Sequence, residues 1–253
     1  MPEKTVVYKG TSMPLIEDFE FDRDVDIGVI LEQNWMLYEI AHRFQENGEM
    51  IYCFAIDRDI YVLKRDRKSF AFLQAQGSSH EACYVEEFRK RNAKKIYRIG
   101  TCGALQKDLE VGDIIVSTGA VRDEGTTDQY ISKYFPAVAD PQTTRQLYDA
   151  LSSKGLPVKM GLTWTTDGRF VESNEKIVSF SKLNVKNVDM ETSPLLLISW
   201  IHGIPAASIG IVTDRPIDDI DSEFKGEIHD FAKTKEMLTG ILYDITESIL
   251  EMG

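Results

Sequence analysis

Cysteine is scarce in this chain, basic charge is outnumbered by acidic, and no apolar run is long enough to span a bilayer. Each shortage removes a class of answer. The three cysteines, Cys53, Cys83 and Cys102, fit no metal-ligand spacing and are too few for a disulfide framework, so reduced thiols in a cytoplasmic protein are expected. Lys and Arg number 29 against 41 Asp and Glu, a formal net charge of −12. That balance speaks against a nucleic-acid or anionic-membrane binder, since either needs a basic face. The opening MPEKTVVYKG holds no apolar stretch of signal-peptide length. Histidines 42, 80, 202 and 229 fall on helical stretches and suggest no metal centre.

What is present is apolar residue enough for a core, 43% of 253 residues, and an alternation of strand-like and helix-like segments. Residues 1 to 24 are polar and read as irregular. Ile27 to Leu31 is a continuous apolar run, as in strands buried on both faces, and helical spacing follows through Leu37, Ile40, Ala41 and Phe44. Three β-rich runs, 52 to 56, 60 to 64 and 69 to 75, are separated by charged turns and predict a meander. A helix over about 80 to 91 leads to the strand 96 to 99, and a second apolar strand covers 113 to 118.

Beyond Thr118 the segment AVRDEGTTDQYISKYFPAVAD has no sustained period and is long for a connection, which makes it a candidate site loop. Helices over 143–154 and 175–183, strands ending at Asp167 and Asp214, a short strand before Asp189, an apolar helix closed by Gly203 and a last amphipathic helix over 231–252 complete the pattern. No repeat or linker interrupts it. The expected fold is one α/β domain over 1–253, a mixed, largely parallel central sheet with helices on both faces.

The run RIGTCG, Arg98 to Gly103, stands out. Two glycines at the end of a strand let a ligand approach the backbone, free amides in such a turn attract anions, and a guanidinium beside them suits phosphate or carboxylate. Arg98 with Thr101, Asp167, Asp189 with Glu191, and Asp214 all fall at the ends of apolar strands. A single aspartate there is commonly a helix cap. Four such places in one open α/β sheet suggest convergence on the edge where ligands bind. A cation, a hydroxyl, a carboxylate able to accept from a diol and another able to carry a proton suit cleavage of a bond between a sugar and a nitrogen base.

With RIGTCGAL, GLTWTTDGRF, NVDMETSPLL and AASIGIVTD in this order, the chain resembles the nucleoside phosphorylase and nucleosidase superfamily over roughly residues 70 to 250. The resemblance implies the nucleoside phosphorylase fold, a homo-oligomer (dimer, trimer or hexamer), nucleoside and phosphate as small-molecule partners, and no cofactor beyond phosphate as co-substrate. It implies phosphate binding by Arg98, Thr101 and Gly77, with Arg58 of the meander reaching across a subunit interface. Met190, Glu191 and Thr101 would hold the ribose. Cys102, Gly103, Asp167, Arg169, Phe170 and Asp189 would line the base region, and Asp214 would protonate N7 of a leaving purine. Arg98 and Asp214 are thus the expected catalytic pair.

The sequence departs from that family in two places. Phosphorylases carry Gly-Asp-Pro-x-Arg after the first strand to hold phosphate, where this chain reads Leu31-Glu32-Gln33-Asn34-Trp35-Met36. Methylthioadenosine-type nucleosidases place a glutamate in that turn, with Glu32 near it but out of register. The Gln-x-Arg pair of uridine phosphorylases is missing, which favours a purine. Phosphorolysis of a purine ribonucleoside is the expected reaction. Hydrolysis of a nucleoside or of AMP, and a nucleoside-binding sensor without turnover, remain the alternatives.

Overall fold

The apolar runs do become strands and the 3.6-residue periods become helices, with differences at the ends and in the pairing. A computed structural model describes residues 4–8, 11–15, 24–46, 50–55, 58–169, 172–218, 220 and 231–253, with side chains over 24–45, 60–169, 172–218, 220 and 234–253. The first strands, β1 (Lys4–Tyr8) and β2 (Thr11–Leu15), form an antiparallel hairpin where irregular chain was expected. Its signal was the β-branched and aromatic run Thr5-Val6-Val7-Tyr8, masked by the polar average of the segment.

Next come β3 (Ile27–Leu31), α1 (Asn34–Glu46), β4 (Met50–Ala55), β5 (Arg58–Arg65), β6 (Lys68–Gln74), α2 (Ser78–Lys90), β7 (Lys95–Ala104) and β8 (Ile114–Asp123). The chain continues through a short 3-10 turn (Thr127–Gln129), β9 (Ala137–Val138), α3 (Pro141–Ser153), β10 (Val158–Thr166), α4 (Asn174–Lys182), β11 (Asn187–Asp189), α5 (Thr192–Ile201), β12 (Ala206–Asp214) and α6 (Phe231–Met252).

The strand order is β11-β10-β8-β12-β7-β3-β6-β5-β4. Parallel pairings join β3 to β6 and β7, β7 to β12, β8 to β10 and β10 to β11, while the meander β4-β5-β6 is antiparallel as expected. Two further antiparallel contacts, β12 with β8 and β11 with β7, bend one half of the sheet into a closed ring. The site is therefore not gathered along one open edge. Because β11 runs against β7, with Asn187 opposite Ala104 and Val188 opposite Gly103, the segment that follows β11 is led back toward Arg98 in the middle of β7.

Two apolar layers clamp the sheet. On one face α1, α3 and α6 set Ile40, Phe44, Leu147, Leu151, Leu242 and Ile245 against Val29, Leu31 and Ile99. On the other, α2 and α5 set Val85, Phe88 and Leu195–Ile198 against Ile30, Leu73 and Ile96. Period-2 alternation in β3 sends Val29 to the first layer and Ile30 to the second. Gly28 makes room for Phe88, because a Cβ there would sit 2.6 Å from its ring. Full burial of such a ring contributes about 1.5–3 kcal/mol. Pro194 fits the first turn of α5, whose first eight residues are all buried. Among the described residues, no helix is long and apolar enough to cross a membrane.

Candidate active site

Strand β7 does not stop at Ile99. It runs on through Gly100 and Gly103 to Ala104, paired with β12, so the expected turn with free amides is absent. The Thr101 amide donates to Oε2 of Glu32, and the Thr101 hydroxyl lies 3.0 Å from both oxygens of that carboxylate. Arg98 stands in the middle of the strand and is fully buried. Its guanidinium is paired with Glu191, with Asp189 at 3.2 Å and with Glu32 at 3.4 Å. Burial disfavours its charge, but Glu191, Asp189 and Glu32 more than offset that and hold it charged beyond the ordinary arginine range.

The carboxylates around Arg98 are held from several elements. Oε1 of Glu191 accepts from the Gly77 amide at 2.7 Å, and the Ser78 hydroxyl donates to the Met190 carbonyl at 2.8 Å. Gly77, at φ 85°, thus enters α2 in a conformation suited to glycine and ties α2 to the segment after β11. Asp189 accepts from the hydroxyls of Thr165 and Thr192. Burial pushes the Glu191 carboxyl up to about 7, against the opposing pull of Arg98.

Glu81 of α2 is wholly buried near the same group, and neither of its oxygens has a hydrogen-bond partner among the described residues. Desolvation raises its pKa well above the usual carboxylate value. It escaped the sequence reading, although it shares the inner helical face with Val85 and Phe88, where an acid is out of pattern.

Above this floor lies a cleft of about 520 Å³, the space at its mouth included, lined by Glu32, Thr101 to Gly103, Val188 to Glu191, Thr213, Asp214, Arg169 and Glu172. Asp214 ends β12 half-buried, with the Thr213 hydroxyl 3.0 Å from Oδ1. Gly103 is opposite it, and a Cβ there would meet Pro216 at 2.8 Å and Asp214 at 3.1 Å. Burial, then Asp189 and Asp214, push the Cys102 thiol up, so it is a neutral wall group and not a nucleophile. Arg169 is exposed at the rim and also borders a second recess lined by Gln33, Trp35 and Lys235.

Several expected positions fall elsewhere. Arg98 and Gly77 are not among the cleft-lining residues, because the carboxylates they hold stand between them and it. Asp189 lines the cleft, but its oxygens are taken by Thr165, Thr192 and Arg98, which makes it a brace for the guanidinium. Asp167 is exposed and accepts from the Gly125 amide at 2.9 Å, away from the cleft. In the segment after Thr118, β8 runs on to Asp123 and β9 covers Ala137–Val138, with bends and the 3-10 turn between them, and none of its residues lines the cleft. Phe170 and the side chain of Arg58 lie outside the described residues. Glu32, taken in the sequence to be out of register, lies in the site.

Residues 67–247 match the family model described as the phosphorylase superfamily. The chain is 33% identical to a guanosine phosphorylase of Halorubrum lacusprofundi over 53% of its own length and 55% of that protein's. It is 31% identical to a uridine phosphorylase of Haemophilus influenzae over 58% and 64%. With a DeoD-type purine nucleoside phosphorylase of Bacillus subtilis it shares 33% identity over 70% and 76%. The chain thus spans between about half and two thirds of the first two relatives it matches. The fold agrees with a uridine phosphorylase from Vibrio fischeri, at TM-score 0.74 and 19% identity over 89% of this chain and 90% of that one. It agrees also with a Plasmodium knowlesi homologue of the P. falciparum PNP, at TM-score 0.72 and 21% identity over 88% of each.

Proposed function

The chain belongs to the phosphorylase superfamily, and from that premise we propose that it cleaves the N-glycosidic bond of a purine ribonucleoside by phosphorolysis, yielding ribose 1-phosphate and free base. The observation that carries this reading is the meeting of Thr101 of β7, Met190 and Glu191 after β11, and Asp214 at the end of β12 on a single cleft. Met190 supplies an apolar surface beneath a ribose, and the Glu191 carboxylate accepts from its hydroxyls. Asp214, at the rim and bonded by Thr213, gives a proton to the leaving base as the bond from C1′ breaks. Anionic side chains beneath the sugar stabilise the positive charge that develops there. Phosphate is the co-substrate, no other cofactor is called for, and a homo-oligomer accompanies the reading.

A second reading, hydrolysis, is favoured by one observation: the Glu32 carboxylate already sits on the Thr101 donors. The test is incubation with inosine, adenosine, uridine and AMP, with and without phosphate, followed by identification of the sugar. Ribose 1-phosphate from a purine nucleoside is the expected product. Free ribose or ribose 5-phosphate formed equally well without phosphate supports hydrolysis, and saturable binding without any product overturns both.

A further inference from the structure

The charged floor contains more anion than its cation balances, and one of those anions occupies donors that an external oxyanion would use. We propose that Glu32 is an internal competitor for the oxyanion seat of the cleft, formed by the Thr101 amide, the Thr101 hydroxyl and Arg98, and that it thereby limits the use of phosphate as nucleophile. The proposal rests on the reading of the cleft as a nucleoside site.

The three donors come from one strand and converge on one carboxylate. The Thr101 amide donates to Oε2, the hydroxyl lies at 3.0 Å and Nη2 of Arg98 at 3.4 Å. A backbone amide, a hydroxyl and a guanidinium suit the oxygens of any oxyanion, and a carboxylate and a phosphate ask the same of them. Glu32 lines the cleft yet is only 6% exposed, and so stands between the guanidinium and an incoming anion.

The contact is built into the backbone. The Glu32 amide donates to the Ile99 carbonyl at 3.0 Å, and the Gln74 side chain donates to the Glu32 carbonyl at 2.7 Å. Both fix the residue where its side chain reaches Thr101. Gly100 is the second requirement: a Cβ there would come within 2.6 Å of Oε2 of Glu32 and would also strike the Arg98 guanidinium. Glycine at 100 is therefore what lets the carboxylate close on these donors.

Charge reinforces the exclusion. Arg98 already faces Glu32, Asp189 and Glu191 within 3.4 Å, so phosphate entering beside a seated Glu32 would add like charge to an acidic pocket. Phosphate must displace the carboxylate before it can take these donors, which weakens its binding and slows phosphorolysis without abolishing it. Glu32 precedes the stretch 67–247 that matches the family model. The residue that competes with phosphate is thus supplied from outside that stretch.

The experiment is calorimetric titration of inorganic phosphate, without nucleoside, into the full chain and its E32A and E32Q variants. Glu32→Ala is expected to tighten phosphate binding tenfold or more, Glu32→Gln by a smaller factor, and acetate is expected to compete with phosphate in Glu32→Ala. Equal phosphate affinity in the natural chain and both variants overturns the proposal, as does absence of phosphate binding in all three. Glu32→Gln, equal in shape, carries the test should Glu32→Ala fail to fold. A second arm measures the ratio of ribose 1-phosphate to ribose at fixed phosphate, expected to rise in both variants. A natural chain that turns over no nucleoside would sink the proposed function while leaving the titration to decide the role of Glu32.

Discussion

The floor of the cleft and its mouth are both made of ionisable side chains, but they are made differently. In the floor, Arg98, Glu32, Asp189, Glu191 and Glu81 are all buried, and every pairing to Arg98 crosses between elements distant in sequence. At the mouth, Asp214, Arg169 and Glu172 are half-buried or exposed on strand ends and turns. Charges out of water must be matched in place or they destabilise the fold, whereas charges at a rim stay solvated. The floor therefore sets shape and field and is tied to stability, while the mouth is free to move a proton.

Breaking the floor should have the largest effect. Arg98→Met leaves Glu191, Asp189 and Glu32 without their cation, and a loss of about 3–5 kcal/mol in stability is expected, read as a fall in the urea midpoint. Retained stability would mean that the guanidinium is not structural. At the mouth, Asp214→Asn should lower kcat on a purine nucleoside by about 10²-fold with little change in thermal midpoint or nucleoside binding. Equal losses in kcat and in binding would remove its role as acid.

Glu191 joins the two regions, since it is buried in the floor yet lines the cleft. It accepts at both oxygens only when ionised, and burial has pushed it up to about 7. A pH profile of kcat/KM is expected to rise below about pH 7 and level off above it, and Glu191→Gln should flatten the profile as well as lower it. Stability has the opposite sign. A carboxyl whose folded pKa lies above its ordinary 4.5 contributes fully below that value and less as pH rises through about 7.

The smallest expected effect is a gain. Glu81 is buried without a hydrogen-bond partner among the described residues, and its folded pKa lies well above 4.5. Glu81→Met should therefore stabilise the protein by about 1 kcal/mol near neutral pH, with an advantage that grows as pH rises above 4.5. Thermal midpoints at a mildly acidic and a mildly alkaline pH measure it. A variant less stable at both would show that Glu81 contributes to holding the floor.

Local pattern carried much of the molecule. The apolar run at Ile27–Leu31, the helical spacing of α1 and α6, the meander and the apolar α5 were legible because periodicity and breakers act within a few residues. Thr101, Met190, Glu191 and Asp214 were legible as a group through their places at strand ends and their motifs. The hairpin β1–β2 was lost because five-residue strands give a weak signal in a polar segment. Asp167 was misplaced because a strand-end aspartate looks the same whether it faces a cleft or accepts from the Gly125 amide.

The order of residues alone determined which segments are strands and helices, which faces of them are apolar, and which polar groups stand where strands end. Tertiary structure decided that β11 turns back on β7, that Arg98 is held among carboxylates behind the cleft, and that Glu32 takes the Thr101 donors. Those outcomes depend on contacts between positions 69 and 93 residues apart. Local period constrains what each segment is, but strand register and ring closure fix the few ångströms within which a charge finds its partner.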